Sequence, residues 1–187
     1  MQEIMNIKDL PKECMFFGYG SLMYYSGING RGLWHLYRSN KELIPVTVEG
    51  LKRTMSAEAV VNHFGDTARF YSVSINKKEK VFGTIFKVHS LFDLKALLYN
   101  EGARPMHKFG HYHLYDITKH VKLGKDNNLR VFTLVCEELK DDPKKYYPGY
   151  IARVYKSMPK KYRDEFTKTG GIHPDAIAKV NNYYMYG

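Results

Sequence analysis

Six segments rich in β-branched and aromatic residues constrain the fold of this chain more than any other feature of its sequence. The segments are short, and turn residues such as Gly20-Ser21 and Asn76-Lys77 follow some of them directly. This pattern is typical of β-strands joined by tight connections. The predicted strands are residues 14–19, 44–55, 68–75, 81–88, 111–117 and 129–137.

Helical signals are fewer but clear. Ser90 followed by Asp93 resembles a capping box, and it precedes residues 91–100, whose leucines fall on one helical face. Two more helices are predicted near the C-terminus, one with Tyr150, Val154 and Tyr155 on its apolar face and one from Pro159 to Thr169, before Gly170-Gly171.

The length of 187 residues and the 44% content of hydrophobic residues suit one domain with a sizeable core. We expect a single domain over residues 1–187, with residues 1–13 as a polar N-terminal lead and residues 172–187 as a C-terminal tail. The glycines within residues 24–40 and the pair His173-Pro174 predict loops. The fold class is α+β, a small mixed or antiparallel β-barrel, closed or nearly closed, with flanking helices.

The net charge of +10 raises the possibility of a nucleic-acid-binding protein. However, Lys and Arg come in short clusters with Asp or Glu nearby, as on a solvated surface, and no recognisable nucleic-acid-binding motif accompanies them. No apolar run suits a signal peptide or a membrane span. Since only two cysteines occur, Cys14 and Cys136, we expect a cytoplasmic protein without a disulfide.

Two local features could form a functional site. The glycine turn Tyr19-Gly20-Ser21-Leu22 directly follows a predicted buried strand, so its backbone N–H groups could point together at an anion. Glu101 ends the helix of residues 91–100, although the negative end of the helix dipole disfavours an acidic residue there. Each feature alone is also compatible with a structural role, as a strand-ending turn or a solvated surface charge.

Four segments follow one another in an order and spacing typical of one known family. They are the turn at residues 19–22, the strand Val81-Phe82-Gly83-Thr84-Ile85-Phe86, the leucine-rich helix that ends in Glu101-Gly102, and the segment 150–169. Over roughly residues 15–169 the sequence resembles the γ-glutamylcyclotransferase and AIG2-like superfamily. The resemblance implies a compact barrel in which Tyr19, Gly20, Ser21 and Leu22 bind the glutamyl group. It further implies Tyr150 in the pocket wall and Glu101 as the general acid/base.

The implied reaction is an intramolecular aminolysis, which explains why a single catalytic residue, Glu101, is sufficient. The α-amine of a γ-glutamyl compound attacks its own γ-carbonyl, which gives 5-oxoproline and a free amine. Because well-aligned intramolecular reactions reach effective molarities on the order of 10⁵ M or more, no Ser or Cys nucleophile is required. One carboxylate can take the proton from the α-ammonium and return it to the leaving amine. We therefore expect a small-molecule γ-glutamyl substrate, no cofactor and no metal ion.

Two departures from the family leave the substrate open. Phe132 stands where some relatives have a tyrosine in the penultimate strand, so one hydroxyl is predicted to be missing from the site. Residues 103–111 form a longer stretch than in the animal enzymes of the family, and this loop should border the pocket. Glutathione, γ-glutamyl amino acids, γ-glutamylamines and modified metabolites all remain candidates, and the oligomeric state is open.

Other functions remain as alternatives. His107, His111 and His113 have a spacing that zinc or copper could use, but no Asp, Glu or Cys in a matching position completes the site. A cysteine nucleophile would need a lowered pKa, which neither predicted strand favours. A non-catalytic binding or inhibitor module of the same fold is also possible, as is a basic nucleic-acid-binding protein.

Overall fold

The computed structural model describes residues 1–33, 42–60, 65–108, 110–124 and 128–178. Within these ranges one mixed sheet of six strands has the order β1-β5-β6-β2-β4-β3. The strands are β1 (Gln2–Glu3), β2 (Cys14–Gly18), β3 (Ile44–Val60), β4 (Thr67–Val88), β5 (Tyr112–Asp116) and β6 (Val131–Cys136). Neighbours are antiparallel except β2 and β6, which run parallel. The sheet curls into a half-barrel, and the predicted α+β class is confirmed.

The helices flank this sheet. They are α1 (Tyr25–Ile28), α2 (Leu91–Asn100), α3 (Pro148–Ser157), α4 (Arg163–Lys168) and α5 (Pro174–Ala178). A π-helical turn (Asn29–Leu33) continues α1, and 3₁₀ turns cover Ile7–Asp9, Ser21–Met23, Thr118–His120, Pro143–Lys145 and Lys160–Tyr162. Among the described residues, the chain forms no helix that combines the length and the apolar character needed to cross a membrane.

The structure joins two predicted strands into one. Residues 68–75 and 81–88 both belong to β4, because Leu51 of β3 pairs with Ile75 and Glu49 pairs with Lys80. The turn predicted at Asn76-Lys77 is therefore a bulge within one strand. The side chain of Asn76 accepts a hydrogen bond from the backbone N–H of Lys78 at 3.0 Å, which closes a local turn without ending the ladder.

Short helices replace parts of two predicted loops. The first part of the predicted loop 24–40 forms α1 and the π-helical turn, and residues 34–41 lie outside the described ranges. Gly27 permits close packing there, since a Cβ on it would lie 1.8 Å from the carbonyl oxygen of Ser21. At the other end, Pro174 begins α5, because its fixed φ and missing N–H suit the first turn of a helix.

Two apolar clusters cover the opposite faces of the sheet. Phe16 and Phe17 are successive residues of β2, and because strand side chains alternate, they enter different clusters. The α2-side cluster contains Phe16 and the leucines of α2, and the α3-side cluster contains Phe17 together with apolar residues of α3 and α4. The predicted capping box begins α2, where the Ser90 hydroxyl oxygen accepts from the Asp93 amide at 3.1 Å.

Arg53 is a buried cation beside the α3-side cluster. It is 6% exposed, and its guanidinium carbon lies 4.1 Å from the ring centre of Phe166 and 5.5 Å from that of Tyr71. Nη2 donates to the carbonyl of Phe82, whereas Nε and Nη1 have no hydrogen-bond partner in the described part of the chain. Burial lowers the pKa of Arg53 to about 10, so the side chain keeps its charge at neutral pH in an environment that disfavours it.

Arg53→Met is expected to raise the free energy of unfolding by about 1–4 kcal/mol, as when buried ionic groups give way to apolar ones of similar shape. Burial places the pKa of folded Arg53 at about 10, below its unfolded value. The charge therefore destabilises the fold fully below pH about 10, and this destabilisation decreases as the pH rises above the folded pKa. Urea unfolding at about pH 6 and about pH 8 should therefore show the same gain. A loss of stability at both pH values would show that the buried guanidinium is net stabilising.

Candidate active site

A cavity of about 280 Å³ lies where the end of β2, the end of α2 and the start of α3 meet β3 and β4. The structure brings all the residues of the predicted site together in its wall: Tyr19, Gly20, Ser21, Leu22, Glu101 and Tyr150. Side chains that the sequence did not single out as site residues complete it, among them Arg31, Glu58, Phe70, Tyr71 and Tyr112. The cavity thus joins positions that are far apart in the sequence.

The end of β2 and the turn after it require glycines, because neighbouring atoms leave no room for side chains at two positions. A Cβ on Gly18 would lie 2.2 Å from the carbonyl oxygen of Leu22, and a Cβ on Gly20 would lie 2.6 Å from the hydroxyl oxygen of Tyr150. The amide of Met23 donates to the carbonyl of Gly20 at 3.0 Å, which closes the 3₁₀ turn. The amide of Ser21 donates to the Tyr150 hydroxyl at 3.3 Å, so the turn and α3 are linked at the cavity wall.

Aromatic rings form the wall beside Tyr150. Its ring meets Phe70 edge-on with 4.9 Å between ring centres and lies 5.7 Å from Tyr71. Burial, together with nearby phenols and the Glu101 carboxylate, raises the pKa values of Tyr19, Tyr112 and Tyr150. These tyrosines therefore remain protonated at neutral pH and can donate hydrogen bonds to an anionic group.

Glu101 ends α2 and forms an ion pair across the cavity wall with Arg31. Its side chain is 11% exposed, and Oε1 accepts a hydrogen bond from Nε of Arg31. The backbone carbonyl of Arg31 also accepts from Nδ2 of Asn100 at 3.1 Å, which ties the π-helical turn to the last residue of α2. The positive partner explains why an acidic residue is tolerated at the negative end of this helix. Gly102, with φ of +65°, then turns the chain away.

Sequence reasoning missed Arg31 and Tyr112. Arg31 lies in a glycine-rich stretch that predicted only a loop, and its partner is 70 residues away, so no local signal marked it. Tyr112 could have been found from strand alternation, because it stands two residues before the buried Leu114 and so shares its face of β5. The inference from Phe132 was wrong, since Phe132 is buried in the α2-side cluster and does not line the cavity.

The loop of residues 103–111 borders the cavity through His111, as predicted. The neighbouring histidines have partners of their own. His107 packs against Tyr99 with 4.8 Å between ring centres, and His113 pairs with Glu3 at 2.6 Å. In the ranges that the structure describes, no three His, Cys, Asp or Glu residues are grouped so as to hold a metal ion.

The two cysteines are unsuited to nucleophilic catalysis. Cys14 and Cys136 are free and buried. Burial raises the pKa of Cys14 to about 12 and also raises the pKa of Cys136. The thiolate form, which is the nucleophile, is therefore disfavoured at both positions.

The chain matches no protein-family model and no curated protein sequence. It does match solved structures. A γ-glutamyl cyclotransferase superposes with a TM-score of 0.59 at 14% identity, over 90% of this chain and 98% of the other. An uncharacterised human protein gives 0.57 at 15% identity, over 91% and 98%. A yeast γ-glutamyl cyclotransferase specific to glutathione gives 0.56 at 10% identity, over 94% and 100%.

These superpositions cover most of this chain and nearly all of each solved structure. The chain therefore has the fold of the γ-glutamyl cyclotransferases. The resemblance that the sequence showed is confirmed at the level of the fold.

Arg31 and Glu101 should be energetically coupled in the folded protein. The coupling free energy should be about 1 kcal/mol, at the upper end for exposed pairs, because Glu101 is largely shielded from water. Urea unfolding of Arg31→Met, Glu101→Gln and the double variant measures it. The exposed pair Lys87–Glu13, at 2.8 Å, is the matched control and should show a smaller coupling. Strict additivity of Arg31→Met and Glu101→Gln would contradict the ion pair.

Proposed function

We propose that this protein is a γ-glutamylcyclotransferase-type enzyme. It cyclises the glutamyl moiety of a γ-glutamyl amine, amino acid or peptide to 5-oxoproline and releases the free amine. The observation that carries the proposal is the shielded carboxylate of Glu101 in the wall of the cavity that also contains the Tyr19–Leu22 turn and Tyr150. The shared fold supports the same chemistry.

Glu101 serves as the general base and then as the general acid. It takes a proton from the substrate's α-ammonium, and the freed amine attacks the γ-carbonyl carbon, so that a new C–N bond forms and the carbonyl oxygen becomes negative. When the old C–N bond breaks and the carbonyl re-forms, Glu101 returns that proton to the leaving nitrogen. The new ring nitrogen loses its second proton to water, and the released amine takes up a proton from water to become an ammonium ion. Since Oε1 accepts from Arg31, Oε2 is the oxygen available for both transfers.

The turn and the buried phenols bind the glutamyl group and its developing charge. The amide of Ser21 and the hydroxyl of Tyr150 lie together at the wall, with N and O atoms 3.3 Å apart. A negative oxygen that displaces their mutual contact would accept from both donors. Such preorganised donors stabilise the transition state because they require no reorganisation when charge develops.

The volume of the cavity favours a small substrate. At about 280 Å³ it stands near the lower end for small-molecule sites. A γ-glutamyl amino acid or small peptide is therefore a better fit than the side chain of a folded protein. We place the enzyme in the cytoplasm, where reducing conditions keep thiols such as Cys14 and Cys136 free.

Glu101→Gln should lower the rate of 5-oxoproline formation by about 10³- to 10⁴-fold, the upper part of the range for general acid/base groups, because one group serves both proton transfers. The amide keeps the size of the side chain, so the variant should fold and a γ-glutamyl ligand should still raise its melting temperature. Mass spectrometry of 5-oxoproline, over a panel of γ-glutamyl compounds, measures the rate.

Glu58→Gln is the matched control for this variant. Glu58 also lines the cavity, but its Oε1 accepts from the hydroxyl of Thr67 at 2.7 Å and from Nζ of Lys145 at 3.3 Å. It should therefore retain most of the activity. If Glu101→Gln keeps most 5-oxoproline production while the wild type is active, the proposed mechanism is wrong.

Gly20→Val should abolish turnover while the protein remains folded. A side chain at this position meets the Tyr150 hydroxyl and the Cβ of Tyr71, so it displaces the hydroxyl that accepts from the Ser21 amide. Gly124→Val is the control, since a Cβ on Gly124 meets no described atom within 4 Å. Melting temperature and 5-oxoproline release are measured for both variants. Normal turnover by Gly20→Val would remove the turn from the site.

A further inference from the structure

Arg31 has a guanidinium edge that its ion pair does not use. Its Nε donates to Glu101, and within the described ranges Nη1 and Nη2 make no hydrogen bond. The side chain lines the cavity and is 36% exposed. Two parallel N–H groups on such an edge match the two oxygens of a carboxylate.

Apolar packing and a backbone hydrogen bond hold Arg31 in this position. Ile28 and Leu33, on either side of it, are fully buried in the α2-side cluster. Nδ2 of Asn100 holds its backbone carbonyl. The segment is thus fixed against α2, and part of the ordering that binding would require is already present in the fold.

The charges in the cavity wall match one part of a γ-glutamyl compound. The α-ammonium and the α-carboxylate are attached to the same carbon, so they require an anionic and a cationic partner side by side. Glu101 and Arg31 form such a pair, and Arg31 is the only Lys or Arg among the described residues of the wall. The other acidic residue there, Glu58, is engaged by Thr67 and Lys145.

We propose that Arg31 binds the substrate's α-carboxylate through Nη1 and Nη2 while Glu101 receives the α-ammonium, so that the pair recognises the zwitterionic α-amino acid head. This inference rests on the proposed function. It assigns the head to the π-helical turn and α2, and it leaves the Ser21 amide and the Tyr150 hydroxyl for the γ-carbonyl oxygen. Arg31 is therefore the residue that restricts the enzyme to substrates with a free α-carboxylate.

Two substrates that differ in a single group test this assignment. γ-L-Glutamyl-L-alanine carries the α-carboxylate, and 4-aminobutanoyl-L-alanine lacks it but can cyclise in the same way to 2-pyrrolidone. Arg31→Met should lower kcat/KM for the first substrate about 10- to 100-fold more than for the second, as expected for lost hydrogen bonds to a charged group. Arg31→Lys keeps the positive charge but lacks the two parallel N–H groups. It should restore part of the kcat/KM that Arg31→Met loses for γ-L-glutamyl-L-alanine relative to the second substrate.

Comparing the two substrates distinguishes recognition of the α-carboxylate by Arg31 from an indirect effect of Arg31 on Glu101. Any change in the orientation or charge of Glu101 affects both substrates alike and cancels in the ratio of their kcat/KM values. An equal loss for both substrates would overturn the proposal and leave Arg31 as a residue that only positions Glu101.

A binding measurement distinguishes failure of this inference from failure of the proposed function. Calorimetry with Glu101→Gln, with and without Arg31→Met, gives the Kd of both alanine compounds in the absence of turnover. A Kd that rises on Arg31→Met for the γ-glutamyl compound alone supports the role of Arg31 even if the wild type produces no 5-oxoproline. Equal changes for the two compounds, or no binding of the γ-glutamyl compound, would overturn it.

Discussion

The close approach of backbone at Gly18 and Gly83 is the constraint on which the site depends. A Cβ on Gly83 would lie 2.3 Å from the carbonyl oxygen of Gly18, and a Cβ on Gly18 would meet the carbonyl of Leu22. Gly18 pairs with Thr84 of β4, and neither Gly18 nor the adjacent Gly83 has room for a side chain at this point. Their contact fixes where β2 ends, and so where the following turn meets Tyr150 of α3.

The elements with strong local signals could be predicted from the sequence. α2 has the predicted bounds because its N-cap and its apolar face are both determined by residues that are close together in the sequence. The bulge in β4 could not be distinguished from a chain reversal, because the Asn76 side chain bonds the backbone two residues on, as Asn does in turns generally. Glu101 was found through its conflict with the helix dipole and through family resemblance. Arg31, which resolves that conflict, was not found, since the contact is purely tertiary.

The ion pair and the phenols give the cavity two different electrostatic regions. At the end of α2, opposite full charges lie side by side in the pair Arg31–Glu101. Near the glycine turn, the hydrogen-bond donors are neutral, because burial keeps the phenol of Tyr150 protonated. A zwitterionic head suits the first region, and a carbonyl that becomes negative only during the reaction suits the second.

The walls of the cavity belong to two separately packed cores. Arg31 and Glu101 are carried by elements whose apolar residues pack in the α2-side cluster, whereas Tyr71 and Tyr150 pack against the α3-side cluster on the other face of the sheet. In evolutionary terms the site is modular. Substitutions on β3 and β4 can change wall residues such as Phe70 and Tyr71, while the packing that supports the Arg31–Glu101 pair stays intact. Under the proposed function, such changes would alter the substrate range without displacing the acid/base residue.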